Sequence, residues 1–184
     1  MKEQSSYAVT MVALDDYLAL LDRATHATTS LCLELLQGFT NKDCKMLDIG
    51  CGSGILAIAS VLLGCESAVG VDIDAQSVKT AKENAEINGI ENRTEFIVGD
   101  LAEKITDKYD IVCANIVADV IIRLFDNVRD YMKADARLLI SGIIDIRADE
   151  IERQAEKHGF KIIQRCVREN WHAYMLEYIG GNEC

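Results

Sequence analysis

From Lys45 onward, short β-branched runs alternate with amphipathic stretches of helical period, and this rhythm limits the folds open to the chain more than any other feature. Strands separated by helical segments of roughly 10–15 residues pair in parallel through helical crossovers, whereas hairpin neighbours need only a short turn. Residues 45–50 read as the first strand and 55–63 as its helix. Residues 68–73 read as the second strand, and 75–88 as a helix that Gly89 can end in the left-handed conformation. The third and fourth strands fall at 94–98 and 109–114, a helix at 117–132, and a fifth strand at 137–141. Residues 149–158 read as a helix stopping at Gly159. Two final strands, 160–167 and 173–179, flank the polar Arg168-Glu169-Asn170, so the sheet is expected to close on an antiparallel hairpin. The expectation is a doubly wound α/β fold with seven strands, mostly parallel. Ahead of it, 14–21 and 28–36 read as helices, the second with Leu31, Leu35 and Leu36 at helical spacing. The tail, 180–184, reads as frayed.

A chain of 184 residues with 49% hydrophobic side chains fits one core, so 1–184 is expected to be a single domain, with 1–44 preceding the sheet and 45–184 forming it. A formal charge of -11 disfavours any binding mode built on neutralising phosphates, which needs clustered Lys and Arg, and suits a basic partner better. The seven cysteines show no Cys-x-x-Cys pair and no histidine at ligand spacing, so no metal site is expected. Most lie in apolar runs, where cysteine behaves as a small hydrophobe. They read as structural thiols of a protein in the reducing cytoplasm. No apolar stretch approaches the ~18–20 residues of a membrane-spanning helix.

The chemistry is concentrated in Asp48-Ile49-Gly50-Cys51-Gly52-Ser53-Gly54, which follows the first strand and opens a helix. Glycine lets a backbone turn sharply and approach a ligand closely, and a helix start offers unpaired N–H groups. The plain alternative is a tight strand-to-helix turn without a ligand. A dinucleotide loop spaces its glycines as Gly-x-Gly-x-x-Gly, and here the third glycine, Gly54, comes one residue early. Asp72, at the end of the second strand and about twenty residues past the loop, is placed to accept hydrogen bonds from ribose hydroxyls. Asp74 reads as the N-cap of the following helix.

The combination of acidic residue, apolar residue and Gly-x-Gly-x-Gly resembles the nucleoside loop of class I S-adenosylmethionine-dependent methyltransferases, whose fold is Rossmann-like. That resemblance implies S-adenosylmethionine as cofactor, held by Asp48, Gly50, Gly52, Gly54 and Asp72, with Asp100 on the adenine amino group. Thr25-His26-Ala27-Thr28-Thr29, 47–54, 69–74, Ala114-Asn115-Ile116-Val117-Ala118 and 138–143 are similar to the catalytic domain of the ribosomal protein L11 methyltransferase family. This closer likeness implies that Thr25, Gly50, Asp72 and Asn115 line the cofactor and acceptor site, that residues 1–44 hold the cofactor lid, and that the acceptor is a ribosomal or other basic protein. Three departures stand out. The family's L11-docking N-terminal domain is not expected within 44 residues. Leu21-Asp22-Arg23-Ala24 replaces a Gly-Thr-Gly stretch. Ala75 and Ala134 stand where relatives often carry proline, in a chain with no proline at all.

Methyl transfer from a sulfonium is an in-line displacement, so the protein must chiefly hold the acceptor nitrogen and accommodate its proton. Asn115 is the candidate catalytic residue, its amide oxygen able to accept a hydrogen bond from an amine. Ile116-Val117-Ala118 lacks the aromatic stacker that nucleobase and glutamine N-methyltransferases carry there, which favours a flexible amine such as lysine over a planar base. Two competing readings are a small-molecule or RNA methyltransferase of the same fold and a cofactor-binding module without turnover. His158 reads as a helix-end residue, His172 as part of the hairpin, Trp171 as packing or an edge anchor with the acceptor cleft as alternative, and Asp145 and Asp149 as a solvated face.

Overall fold

A computed structural model describes residues 27–100 and 105–180. Thr25, His26 and the expected helix at 14–21 lie outside the described residues. Seven strands form one sheet in the order β3-β2-β1-β4-β5-β7-β6. They are β1 Lys45–Ile49, β2 Ser67–Asp72, β3 Thr94–Val98, β4 Tyr109–Asn115, β5 Met132–Ile144, β6 Phe160–Arg168 and β7 Trp171–Tyr178. The first five pair in parallel, and only β7 runs against the rest, antiparallel to both β5 and β6. This is the expected doubly wound, Rossmann-like sheet with its C-terminal hairpin.

Alternation along the strands divides the core into two layers. Met46, Ile111, Cys113 and Leu139 face one side, against α1 (Ala27–Leu36), α2 (Ile55–Leu62) and α3 (Ala75–Ile87). Leu47, Ile49, Val112, Ala114, Leu138 and Ile140 face the other, against α4 (Ala118–Leu124) and α5 (Asp145–Lys157). Because helices cover both faces, the central strands read as near-continuous apolar runs, which is why β1 and β4 were legible from composition alone. Their order reverses between β1 and β4. At such a reversal the two neighbouring crossovers leave on opposite faces and open a crevice at the carboxyl ends of the strands.

Several boundaries differ from expectation, and β5 is extended at both ends, from 137–141 to Met132–Ile144. The helix expected over 117–132 ends at Leu124, and a 3-10 turn at Val128–Tyr131 leads into a β5 that starts at Met132. Asp126 and Asn127, whose short polar side chains favour turns over helix interiors, interrupt the period. Buried Met132 then pairs in register with Tyr109. The helix expected from 149 begins at Asp145, because the core-facing positions Ala148, Ile151 and Ala155 extend one turn further back. The hairpin turn contracts to Glu169-Asn170, with Trp171 and His172 already in β7.

The cysteine expectation needs correction. Cys44 and Cys65, which precede β1 and β2, are joined by a disulfide across 21 residues of sequence. Two neighbouring parallel strands bring the residues before them side by side, with a Cα–Cα distance of 4.9 Å, which no linear spacing rule detects. Cys32, Cys51 and Cys113 are free and buried, and Cys166 is free and half-buried. Among the described residues no helix is long and apolar enough to cross a membrane.

Candidate active site

The turn leaving β1 is left-handed at all three of its glycines: Gly50 at φ +73°, Gly52 at +52° and Gly54 at +79°. Gly50 is required twice over, since a Cβ there would also come within 2.4 Å of the Ile116 side chain. A Cβ on Gly52 would meet nothing within 4 Å, so this residue presents bare backbone to open space. The N–H groups of Gly50 and Cys51 both donate to the Val71 carbonyl, at 2.8 and 3.0 Å, which ties the turn to β2.

Asp72 ends β2 and closes the turn from the other side. Its Oδ2 accepts the Gly52 N–H at 2.8 Å and its Oδ1 accepts the Asp74 N–H at 2.9 Å. A carboxylate offers about four acceptor positions, so two remain for a ligand. Asp74 caps α3 as expected, accepting from Gln76 N–H at 3.0 Å and Ser77 Oγ at 3.1 Å, and these bonds hold its carboxyl below the ordinary value. The Gly99 N–H donates to the Asp72 carbonyl at 3.0 Å, so β3 delivers exposed Asp100 to the same edge of the crevice.

Asp48 lies beneath the glycine turn rather than in the crevice. Strand alternation turns it toward α2, where it is 1% exposed and its Oδ2 accepts the Ala57 N–H at 3.2 Å. Its Oδ1 has no hydrogen-bond partner. Burial raises its pKa to about 7 against the opposing Ala57 bond, with the nearby Asp72 charge adding to the rise. Burial likewise pushes the Cys51 thiol up, helped by the Asp48 and Asp72 charges.

Asn115 ends β4, on the far side of the reversal. It lines a cavity of about 480 Å³ with Thr28 and Thr29 of α1, Ile116, Val117, Gly142, and Glu169 and Trp171 of the β6–β7 turn. Ile116 joins the two halves of the crevice: its side chain abuts Gly50, and its carbonyl lies where a Cβ on Gly142 would be, 2.4 Å away. Gly142, at φ +85°, marks the register shift in β5 that makes this approach possible. A larger cavity of about 600 Å³, lined by Lys45, Ser67, Thr94 and Tyr109 among others, opens at the amino ends of the strands, away from all of these residues.

Neighbouring β1, β2 and β4 end together, so Gly50, Gly52, Asp72 and Asn115 stand at the carboxyl edge of the sheet with exposed Asp100 beside Asp72. Asp48 lies below the turn, and Gly54 is buried too, where a Cβ would come within 2.9 Å of Ala81 and Phe96, so its part is to let the turn pack rather than to face a ligand. Sequence reasoning missed Glu169 and gave His172 and Asp145 no joint role, although His172 Nε2 lies 2.5 Å from Asp145 Oδ1. The signal was present in strand direction. A strand antiparallel to β5 must be entered at the carboxyl end of the sheet, so the turn into β7 was bound to face the site.

A glycine turn with open backbone at Gly52, braced by a strand-end aspartate with two acceptor positions to spare, fits a nucleoside cofactor of the S-adenosylmethionine kind. The family model of ribosomal protein L11 methyltransferase (PrmA) matches residues 3–178. The chain belongs to this family. A ribosomal protein L11 methyltransferase of Dictyoglomus turgidum is 39% identical over 152 residues, which cover 83% of this chain and 50% of that relative. That of Caldicellulosiruptor bescii is 42% identical over 155 residues, with 84% and 50% covered. The chain thus spans about half the length of the curated relatives it matches. A crystal structure of ribosomal protein L11 methylase from Lactobacillus delbrueckii subsp. bulgaricus superimposes with a TM-score of 0.81 at 29% identity, covering 85% of this chain and 81% of that one. An RNA methyltransferase from Salinibacter ruber, solved with S-adenosyl-L-homocysteine, shares the fold at a TM-score of 0.67 and 20% identity, with 90% and 93% covered.

Proposed function

We propose that this chain is an S-adenosylmethionine-dependent N-methyltransferase for protein amines, with ribosomal protein L11 or a similar basic protein as acceptor. The observation that carries the reading is the reversal-point crevice, in which the glycine turn and Asp72 stand on one side of Ile116 and Asn115 on the other. Family membership and the names of the relatives support it, as does the acidic charge of -11, which suits a basic acceptor.

The cofactor supplies an electrophilic methyl group on a sulfonium sulfur. Asp72 would hold the ribose hydroxyls through its two remaining acceptor positions, Asp100 would take the adenine amino group, and the open backbone of Gly52 would leave room for the chain of the cofactor. Asn115 accepts a hydrogen bond from the acceptor amine and fixes its lone pair, so positioning does most of the work. Thr25 is assigned to the cofactor side on the family resemblance alone.

Incubation with methyl-labelled S-adenosylmethionine, recombinant L11 and total ribosomal particles tests the reading. Label is expected in a protease-sensitive, nuclease-resistant product. Nuclease-sensitive label would favour an RNA acceptor, and cofactor binding without transfer to any fraction would favour a binding module.

A further inference from the structure

Glu169 is the only residue other than glycine among the described ones with a positive φ, +56°. A two-residue hairpin turn calls for positive φ at its first centre, which glycine or asparagine takes at little steric cost. This chain places glutamate there and asparagine second. A left-handed glutamate is strained, and such strain persists where the surroundings over-determine it.

The surroundings hold this turn on three sides. The Asn170 carbonyl accepts the Asp145 N–H at 3.0 Å, at the start of α5. The His172 ring lies between Asp145 Oδ1 at 2.5 Å and the Tyr174 hydroxyl at 3.0 Å. The Arg168 guanidinium reaches Glu34 of α1 at 3.6 Å. Thus fastened, the turn sets Glu169 and Trp171 on the wall of the cavity that Asn115 also lines.

We infer that Glu169 selects the acceptor: its carboxylate receives a cationic alkylamine, the Trp171 ring forms the adjoining wall, and Asn115 meets the nitrogen from the β4 side. This rests on the proposed methyltransferase reading and deepens it to the residues that recognise the acceptor. A carboxylate and an aromatic face both favour a cation over a neutral amide or a planar base. The bound ammonium first gives one proton to solvent; its nitrogen then bonds the methyl carbon as the sulfonium C–S bond breaks, S-adenosylhomocysteine is the leaving group, and the positive charge returns to the nitrogen beside the carboxylate. Asp145 and His172 are positioning residues, acting through the turn.

Steady-state transfer to an acetylated hexapeptide bearing one lysine tests this with the full chain. Glu169→Gln should raise KM for the peptide about five- to tenfold while kcat changes less than threefold and S-adenosylhomocysteine affinity is unchanged. The pH–rate profile should also move to lower pH, because a bound ammonium freed from a carboxylate loses its proton more readily. Glu169→Gly relieves the left-handed strain, so it should melt no lower than wild type yet show the same rise in KM. Glutamine and glycine variants with wild-type KM and pH profile would overturn the inference and leave the methyltransferase reading standing. A wild-type chain that binds S-adenosylhomocysteine but never methylates the lysine peptide would overturn both.

Discussion

The unpaired Asp48 makes the folded state sensitive to pH in a direction opposite to that of a paired carboxylate. Its pKa rises from 3.8 to about 7 on folding, mainly through burial. Between those values the native protein keeps a proton that the unfolded chain has released. The stability Asp48 contributes is therefore complete below about pH 4 and is lost as pH rises through 7. The full span corresponds to roughly 4 kcal/mol, an upper bound because local opening and water relax a buried charge. Asp48→Asn cannot ionise, so it should not show this loss. It keeps an acceptor for the Ala57 N–H but puts amide hydrogens at the unpartnered Oδ1 position, which costs about 1–3 kcal/mol at any pH. The variant is thus expected to be less stable than wild type at pH 4.5 and more stable at pH 8. Urea unfolding followed by Trp171 fluorescence and circular dichroism, run on both proteins across this range, checks the crossing. Other carboxylates titrate in both proteins and cancel in the difference. A difference that stays flat within about 0.5 kcal/mol, a typical bound for independent sites, would show that Asp48 is ionised in the native protein throughout and would refute the argument.

Asn115→Ala should slow single-turnover transfer by about a hundred- to a thousandfold while melting temperature and S-adenosylhomocysteine affinity hold, the cost of one positioned polar group in a transition state. Joint loss of all three would make Asn115 a loop tie instead. Asp72→Ala should weaken S-adenosylhomocysteine binding by about 1.5–3 kcal/mol, measured by calorimetry, through lost charge-assisted bonds. Reducing Cys44–Cys65 should lower unfolding free energy by about 3 kcal/mol, the loop-closure value for a crosslink of this span. Cys65→Ser should match the reduced wild type, and equal urea midpoints with and without reductant would count against the crosslink.

Sequence carried the fold wherever burial is two-sided. β1, β2 and β4 are apolar on both faces, so their limits were read within a residue or two, and the Asp48-to-Gly54 motif fixed the first crossover. It carried less where local signals conflict with tertiary context. Residues 118–131 keep apolar side chains at helical spacing across the break at Asp126-Asn127, so the end of α4 depends on where Met132 finds its strand partner. The proposed cofactor side was legible because glycine spacing and strand-end acids are local features. The proposed acceptor side draws on Asn115, Glu169 and Trp171, which line one cavity although they are far apart in sequence and joined only by strand direction. The Cys44–Cys65 pair was hidden for the same reason, since its two members become neighbours only when β1 and β2 pair.

The departures from local preference gather at one end of the sheet. Asp48 is buried with an unpartnered oxygen, Glu169 is left-handed, and Gly142 breaks the register of β5 to admit the Ile116 carbonyl. None of these would arise from optimising the sheet alone, and the amino ends of the same strands show the opposite pattern. There Asp110 accepts both the Lys45 N–H and Lys133 Nζ at 2.8 Å, and Arg93 donates to the carbonyls of Val61, Cys65 and Glu66. Strain and unsatisfied polarity persist where rigid surroundings enforce them, and the elements enforcing them here are the ones that frame the crevice. Relieving either departure, by Asp48→Asn above neutral pH or by Glu169→Gly, should therefore leave a chain at least as stable. If the lost group serves the site, that chain should also be a poorer catalyst, and it is this divergence between stability and turnover that separates a functional departure from a tolerated flaw.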